Sequence, residues 1–267
     1  LFVDGGSSYL CTGTLLNDRY STNTPYFVTA NHCIPSQTVA STLQTRWFYR
    51  SASCGSYSIL ASSVWRYNGA VLLYANGVND TAFMRLNDTP PAGAVFAGWT
   101  SGLAALGSSV SSLHHSQGDL LKYARGTVAS YGNCTIDNNS GYFSCALGSS
   151  ASSTHYRVTL TQGITEGGAS GAGIFNGGYF VGLLTGGNAS CAAVAGTNYA
   201  YFGRFDQAYA GGINQWLWGA APQARTAVYR FYNASTGAHF YTGTAAERDF
   251  VIATYPAFSY EGVVFYA

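Results

Sequence analysis

Short apolar segments separated by turn residues run along the first two hundred positions of the chain. Each is rich in aromatic or β-branched residues and is bounded by Gly, Asn, Ser or Pro. The clearest are Tyr26–Ala30, Thr45–Tyr49, Ala70–Tyr74, Thr81–Leu86, Tyr156–Leu160, Gly173–Phe175 and Tyr179–Leu184. Segments of this kind predict half-buried strands. Many short strands with little helical periodicity favour an all-β fold of antiparallel sheets or barrels.

A helical pattern occurs late in the chain, just before a change in composition. Within residues 206–219, Ile213, Trp216 and Leu217 recur at the i, i+3, i+4 spacing of an apolar helix face. A polar segment with the helix-stopping Pro222 follows, and the remaining residues are dense in aromatics. We therefore predict a main domain over residues 1–221, then a linker and a small β-rich module over residues 222–267.

Composition narrows the function classes. Of 267 residues, 47% are hydrophobic and only 9% are charged, which is far below the average of roughly 25% charged and argues against disorder. The net charge is +1, with no run of Lys or Arg, so we expect no nucleic acid partner. Apolar stretches such as Ala92–Trp99 fall short of the roughly 18 residues that span a bilayer, so we expect no membrane segment.

The cysteines and histidines indicate the compartment. The six cysteines form no CxxC pair and show no zinc-type spacing with histidine, which predicts disulfides and export from the cytoplasm. The adjacent His114 and His115 would point to opposite faces of a strand, so they do not favour a shared metal site. We expect a secreted monomer without metal or cofactor.

A serine between glycines suggests a nucleophile. Ser170 lies in Glu-Gly-Gly-Ala-Ser-Gly-Ala-Gly, residues 166–173. Glycines let the backbone turn sharply and aim the N–H groups of Gly168 and Ser170 at one point, where an oxyanion could develop. Because turns of this composition are common in a chain with 33 glycines, the motif needs a partner base.

Two further residues could complete a catalytic set. An apolar strand runs into Thr-Ala-Asn-His-Cys, which places His32 at its end as a base for the serine proton. Asp80 stands just before the apolar run Thr81–Met84 and could hold the imidazole. Taken singly, His32 fits a packed or surface histidine and Asp80 a turn residue. The ordered set of His, Asp and Ser favours catalysis.

Several motifs together resemble one family. The set comprises Cys11–Leu16, Thr29–Cys33, Phe96–Trp99, Leu113–His115, Thr165–Gly171 and Gly196–Arg204. In this order they are similar to the secreted bacterial lysyl-endopeptidase branch of the chymotrypsin-like serine proteases, over about residues 10–219. The resemblance implies that His32 is the general base, Asp80 its orienting carboxylate and Ser170 the nucleophile. It also implies two β-barrels, about residues 1–110 and 111–205, a closing helix at about 206–219, and an active site between the barrels.

Three disulfides are expected. The resemblance implies Cys11–Cys33, which would tie the histidine loop to the preceding strand. Ten residues separate Cys134 from Cys145 and include Asn-Asn-Ser-Gly, which suits a hairpin tip closed by a bridge. Cys54–Cys191 follows by elimination and would link the two barrels.

Substrate preference is expected to differ from that of the lysine-cleaving members. They carry an Asp in the stretch that matches residues 196–203, where this chain has Tyr199, Ala200 and Tyr201. Burying a lysine ammonium without a counter-charge is costly, so we expect an uncharged residue before the cleaved bond (P1), glutamine first and a medium apolar or aromatic residue second. The expected substrate-binding residues are Thr165, Leu184, Thr185, Gly186, Asn198 and Tyr199, with Leu184–Gly186 pairing to an extended peptide.

Two alternatives remain open at this point. Ser170, Asp206 and His239 follow the order of an α/β-hydrolase esterase, although that fold needs helices and a parallel sheet. A catalytically inactive, protease-like protein could instead use the aromatic tail to bind a polymer or cell surface. Within the tail, Arg230, His239 and Glu247 are interpreted as surface or hydrogen-bonding residues.

Overall fold

The chain forms two compact units, Leu1–Gly219 and Ala220–Ala267. The structure, a computed structural model, describes residues 1–136, 143–192, 197–218 and 227–266. The predicted linker after residue 221 lies outside the described residues. All ladders between the described strands are antiparallel.

The first half of the larger unit consists of a four-stranded sheet and two hairpins. Its elements in chain order are β1 (Phe2–Asp4), β2 (Ser7–Tyr9), β3 (Thr14–Leu16), β4 (Tyr26–Ala30), α1 (Gln37–Ala40), β5 (Thr45–Trp47), β6 (Val64–Arg66), β7 (Ala70–Asn76) and β8 (Thr81–Leu86). The sheet order is β3-β4-β8-β7, and β1–β2 and β5–β6 pair separately. Consecutive residues of the central strands are buried, Val28–Ala30 in β4 and Thr81–Met84 in β8, so these parts of the strands are covered on both faces.

The second half is a closed barrel. Its strands are β9 (Ser109–His114), β10 (Lys122–Ile136), β11 (Phe143–Gly148), β12 (His155–Gln162), β13 (Gly173–Asn176), β14 (Tyr179–Gly187) and β15 (Tyr199–Arg204). They follow the order β11-β10-β12-β15-β14-β13-β9, and β9 also pairs with β10. Six strands therefore close on themselves, with β11 attached outside. The all-β prediction is confirmed.

A broken helix ends the larger unit. It consists of α2 (Phe205–Ala208), a wide turn at Tyr209–Ile213 and α3 (Asn214–Leu217). The sequence predicts one continuous helix over residues 206–219, but Gly212 has φ +144°, a conformation that interrupts helical geometry. Ile213 and Leu217 are nevertheless fully buried, as the apolar spacing predicts.

The smaller unit is a three-stranded sheet with one helix. Its elements are β16 (Ala227–Asn233), β17 (Ala238–Thr242), α4 (Ala245–Thr254) and β18 (Phe258–Tyr266), and the sheet order is β17-β16-β18. Phe231 is fully buried between Phe240 and Tyr260, with ring centroids 6.1 and 5.2 Å away. With ten residues, α4 is the longest described helix. None of the described helices is long and apolar enough to cross a membrane.

Polar side chains of this unit are paired with one another. Arg230 Nε donates to Glu261 Oε2 at 2.6 Å, and His239 Nε2 lies 3.6 Å from the same oxygen. Glu247 Oε2 accepts a bond from Thr242 Oγ1 at 2.6 Å. These contacts give Arg230, His239 and Glu247 roles inside the sheet and helix of their own unit.

Candidate active site

A buried carboxylate holds one imidazole at the end of the central strand pair of the first half. β4 and β8 pair with Ala30 opposite Thr81, so His32 and Asp80 leave the sheet at the same end. His32 Nδ1 lies 2.8 Å from Asp80 Oδ2, and the His32 backbone N–H donates to Asp80 Oδ1 at 2.9 Å. Asp80 is fully buried. Because an ionised carboxylate only accepts, Nδ1 carries the hydrogen and Nε2 keeps the lone pair that a general base needs.

The loop that contains Ser170, residues 166–171, packs directly against β4, the strand that leads to His32. Thr12 N–H donates to the Ser170 carbonyl at 2.8 Å. Gly171 has φ +81°, and a Cβ there would lie 2.1 Å from Thr29 Oγ1. Only glycine permits this approach. The loop that contains Ser170 therefore packs on the end of β4, three residues before His32.

Two backbone N–H groups beside Ser170 are unpaired in the described part of the chain. The N–H of Ala169 donates to the Glu166 carbonyl at 3.0 Å, whereas the N–H groups of Gly168 and Ser170 donate to no backbone or side-chain acceptor there. Gly168 has φ +88°. A pair of unsatisfied N–H groups beside a nucleophile is the arrangement that stabilises a tetrahedral oxyanion.

Two of the three expected disulfides are present. Cys11–Cys33 and Cys134–Cys145 are both formed, as predicted. The third expected bridge, Cys54–Cys191, is wrong, because both cysteines are exposed free thiols. Elimination counts cysteines without testing whether their Cα atoms come within bridging distance.

A group of metal-ligand residues also lies at the site. One donor atom each of Cys11, His32 and Cys33 falls within 4.8 Å of the others. Both sulfurs are joined in the disulfide, so neither supplies the thiolate that a zinc site requires. This group therefore consists of the His32 imidazole beside a structural disulfide.

The predicted substrate residues differ in how much hydrogen-bonding capacity they keep. Thr185 Oγ1 lies 3.2 Å from His155 Nε2, and Asn198 exchanges two bonds with the backbone of Ser190 at 2.9 and 3.2 Å. Thr165 Oγ1 is buried and has no partner among the described residues. The Thr165 hydroxyl is therefore enclosed with unused hydrogen-bonding capacity, whereas the hydroxyl of Thr185 and the amide of Asn198 are engaged.

His155 lies behind the site as a neutral group. It is fully buried, with Nδ1 2.8 Å from Thr154 Oγ1 and Nε2 facing Thr185. Burial lowers the pKa of His155 to about 4, although the charge of Asp80 acts in the opposite direction. A neutral imidazole between two hydroxyls is a structural element, and it explains why Thr185 is engaged.

An aromatic cavity borders the second barrel near the predicted pocket. It has a volume of about 430 Å³ and is lined by Phe143, Ser144, Cys145, Gly187, Asn188, Tyr199 and Tyr201. Of the predicted pocket residues, Tyr199 lines it, whereas Thr165, Leu184, Thr185, Gly186 and Asn198 do not. No carboxylate is among the described residues that line this cavity.

Sequence reasoning missed the opposite wall of this cavity. The Phe143 and Tyr201 rings meet edge to face at 6.4 Å, and a Cβ at Gly186 would lie 2.4 Å from the Phe143 ring. Phe143 reaches this position because β11 pairs with β10 beside the second disulfide. Gly196, which begins the predicted specificity stretch, lies outside the described residues.

The α/β-hydrolase alternative does not match the structure. Asp206 pairs with Arg204, with Oδ2 2.5 Å from Nη2 and Oδ1 3.0 Å from Nε. His239 belongs to the smaller unit, and the described strand ladders are antiparallel. The nucleophile elbow of that fold requires a parallel sheet.

Comparison with known proteins agrees with the fold and the ordered motifs. The family model "Lysyl endopeptidase, C-terminal domain" matches residues 1–203, and a domain of unknown function (DUF5648) matches residues 207–267. The lysyl endopeptidase of Pseudomonas aeruginosa is 37% identical over 214 residues, which are 78% of this chain and 43% of that protein. The chain thus spans less than half the length of this relative.

Two solved structures are similar to this chain at low sequence identity. An inactivated protease paralogue of the scabies mite has a TM-score of 0.52 and 16% identity, covering 79% of this chain and 90% of the other. The chymotrypsin of Cellulomonas bogoriensis has a TM-score of 0.44 and 18% identity, covering 79% and 91%. Because the lysyl endopeptidase model matches more than half of the residues, this chain belongs to the lysyl endopeptidase family.

Proposed function

We propose that the protein is a serine endopeptidase with Ser170 as nucleophile, His32 as general base and Asp80 as the carboxylate that orients it. The observation that carries this proposal is the buried Asp80 carboxylate bonded to both the imidazole and the backbone N–H of His32. This contact fixes the tautomer and stabilises the imidazolium that forms when the serine proton is taken. Packing of the nucleophile loop on the end of β4 supports the third role.

The reaction follows from these positions. Ser170 Oγ attacks the peptide carbonyl while His32 Nε2 takes the hydroxyl proton. The carbonyl oxygen becomes an oxyanion facing the N–H groups of Gly168 and Ser170. His32 then gives its proton to the leaving amine as the C–N bond breaks, which leaves an acyl-enzyme. Water, deprotonated by His32, hydrolyses the acyl-enzyme and restores Ser170.

The P1 residue is uncharged in this proposal. No carboxylate is among the described residues that line the cavity walled by Phe143, Tyr199 and Tyr201, and burying an unpaired ammonium costs several kcal/mol. The phenol hydroxyls of Tyr199 and Tyr201 give this cavity neutral hydrogen-bonding groups, which favours glutamine, and its aromatic walls suit a medium apolar or aromatic residue as second choice. The backbone of Leu184–Gly186 pairs with the extended substrate.

The enzyme acts outside the cell as a monomer on protein or peptide substrates. The two disulfides support an oxidising compartment. The smaller unit attaches the enzyme to a polymer or cell surface through exposed rings such as Tyr241, which is 48% exposed. Removing residues 220–267 should leave hydrolysis of a soluble peptide unchanged and abolish retention on the polymer. Loss of hydrolysis would place this unit in the catalytic fold.

A labelling experiment separates enzyme from inactive scaffold. A fluorophosphonate should modify the wild-type chain at Ser170, and Ser170→Ala should neither react nor hydrolyse peptides. A peptide library read for the residue before each cut should show an uncharged P1. Failure of the wild type to react would favour the inactive, polymer-binding alternative, and a dominant Lys or Arg preference would overturn the assignment of the pocket.

A further inference from the structure

The turn that presents the Gly168 N–H can exist in two orientations. The Glu166 carbonyl accepts the Ala169 N–H at 3.0 Å, and Gly168, at the third position, has φ +88°. This is the pattern of a type II turn, which differs from type I by a flip of the central peptide. The central peptide here joins Gly167 to Gly168, so a flip would turn the Gly168 N–H away from the oxyanion.

A neighbouring turn grips this peptide from the other side. The N–H of Gln117 donates to the Gly167 carbonyl at 2.6 Å. Gln117 has φ +57°, a left-handed conformation that non-glycine residues adopt only when their surroundings hold it. A Cβ at Gly168 would lie 2.9 Å from the His115 carbonyl. The two turns are therefore in direct backbone contact.

Two hydroxyl groups secure the residues on either side of that peptide. Ser116 Oγ accepts the Glu166 N–H at 3.1 Å, and Thr12 Oγ1 donates to the Gly168 carbonyl at 2.9 Å. Thr12 Oγ1 in turn accepts the His115 N–H at 3.1 Å. We call residues 166–169 the oxyanion turn and residues 114–118 the 114–118 turn. Three successive residues of the oxyanion turn, 166–168, are thus each hydrogen-bonded to Thr12 or to the 114–118 turn.

His114 sets the direction of the Ser116 hydroxyl. The imidazole is fully buried, with Nδ1 3.0 Å from Ser116 Oγ. Burial, followed by the charges of His115 and Lys122, lowers the pKa of His114 to about 4. The imidazole is therefore neutral at neutral pH, and Nδ1 can accept the hydroxyl hydrogen. Ser116 Oγ then has its lone pairs free for the Glu166 N–H.

From these contacts we infer that Ser116 and Thr12 are positioning residues, which lock the Gly167–Gly168 peptide in the orientation that builds the oxyanion hole. The inference rests on the proposed function. Ala169, next to the nucleophile, is apolar and fully buried, so this lock acts without a carboxylate at that position. Both residues act on the transition state through the Gly168 N–H that they hold in place.

The test compares kcat with KM on a peptide amide in the full chain. Ser116→Ala and Thr12→Val are each expected to lower kcat by roughly 10- to 100-fold with KM changed by less than about threefold, because oxyanion stabilisation exists only in the transition state. Thr12→Ser keeps the hydroxyl and should recover most of the loss. Affinity for a peptide aldehyde, which forms a tetrahedral adduct with Ser170, should fall in parallel. Affinity for the peptide acid product should not.

Ser112→Ala is the matched control. Ser112 is a buried serine of β9, four residues before Ser116, and its hydroxyl donates to the Gly173 carbonyl at 2.9 Å, outside the oxyanion turn. This variant should lose thermal stability while kcat stays within about twofold of wild type. Unchanged kcat in folded Ser116→Ala and Thr12→Val would overturn the positioning roles. An equal decline of kcat, product affinity and Tm in all three variants would do the same. An inactive wild type would instead overturn the proposed function itself.

Discussion

The candidate site has two walls, one at the ends of β4 and β8 and one at residues 166–170, and the two use different kinds of chemical group. On the first wall, the site depends on one contact between side chains, His32 Nδ1 on Asp80 Oδ2 at 2.8 Å. On the second wall, residues 166–170 contribute backbone N–H groups, held by hydrogen bonds from Thr12 and the 114–118 turn. The first wall therefore depends on residue type, and the second on backbone conformation.

This difference predicts how each wall responds to substitution. Removing a side chain from the first wall deletes a catalytic group while the backbone stays in place. Apart from Ser170, the second wall contributes backbone N–H groups, and a change there acts by moving the backbone. Variants should therefore separate into the largest losses on the first wall and at Ser170, and graded losses at the other positions of the second wall.

The largest effect is expected from the first wall. Asp80→Asn should lower kcat by about 10⁴-fold, because an amide leaves His32 in the wrong tautomer without large movement. Asp206→Asn is the matched control, since it removes an ionised oxygen from the buried Arg204 pair. It should lower stability and leave kcat nearly unchanged. Comparable losses of kcat in both variants, measured on one peptide amide, would show that Asp80 only supports the fold.

An intermediate effect is expected from the second wall. Gly168→Ala should lower kcat by about 10²- to 10³-fold, the effect of losing one oxyanion donor, because φ is +88° and the new Cβ meets the His115 carbonyl at 2.9 Å. Gly178→Ala tests backbone strain alone, since φ is +87° with nothing within 4 Å. This control should lower the free energy of unfolding by about 1 kcal/mol and leave kcat unchanged. Equal kcat in the two variants would contradict the oxyanion role.

The two disulfides should differ in their effect on the first wall. By the loop-closure relation, removing Cys11–Cys33, with a sequence separation of 22, costs about 3.4 kcal/mol, and removing Cys134–Cys145, with a separation of 11, about 2.8 kcal/mol. Only the Cys11–Cys33 pair joins the residue before Thr12 to the residue after His32. Double Cys→Ala variants, compared by chemical unfolding and by kcat, should therefore lose similar stability but different activity. Equal kcat losses would argue against a role of this bridge in the site.

The smallest effect on kcat is expected from the two buried histidines behind the walls, because their protonation changes the pH dependence of stability. The pKa values of His114 and His155 are about 4 in the folded chain against about 6.5 when unfolded. Between these values the unfolded chain binds more protons, so stability should fall as pH drops from about 6.5 to 4, by up to about 3 kcal/mol per histidine. His155→Gln should reduce this slope in urea titrations. A slope identical to wild type would show that His155 is not neutral in the fold.

The residues of the first wall can be recognised in the sequence, whereas those that hold the second wall in place cannot. The reason is that a sequence shows side-chain chemistry directly and backbone conformation only indirectly. His32, Asp80 and Ser170 could be proposed from the sequence because their chemistry is visible in the residue type and their order matches a family, and the structure shows the contact between His32 and Asp80. Thr12, Ser116 and the buried His114 could not, because they act through the backbone of a segment about 50 residues or more away. Only the register of the folded strands brings them together.

Other differences between prediction and structure also come from tertiary geometry. The apolar spacing correctly predicted the buried Ile213 and Leu217, but not the break at Gly212. Cysteine counting could not predict that Cys54 and Cys191 stay apart. The aromatic cavity depends on Phe143. The position of this residue is set by the pairing of β11 with β10 at the Cys134–Cys145 bridge and not by a local sequence motif.

Trapping the acyl-enzyme tests the central claim most directly. The full chain is mixed with an activated ester, quenched in acid within the first turnover and digested for mass spectrometry. The proposed mechanism predicts about one acyl group per chain, on the peptide that contains Ser170, and none in Ser170→Ala. Turnover without acylation of Ser170, or acylation of equal extent in Ser170→Ala, would contradict it.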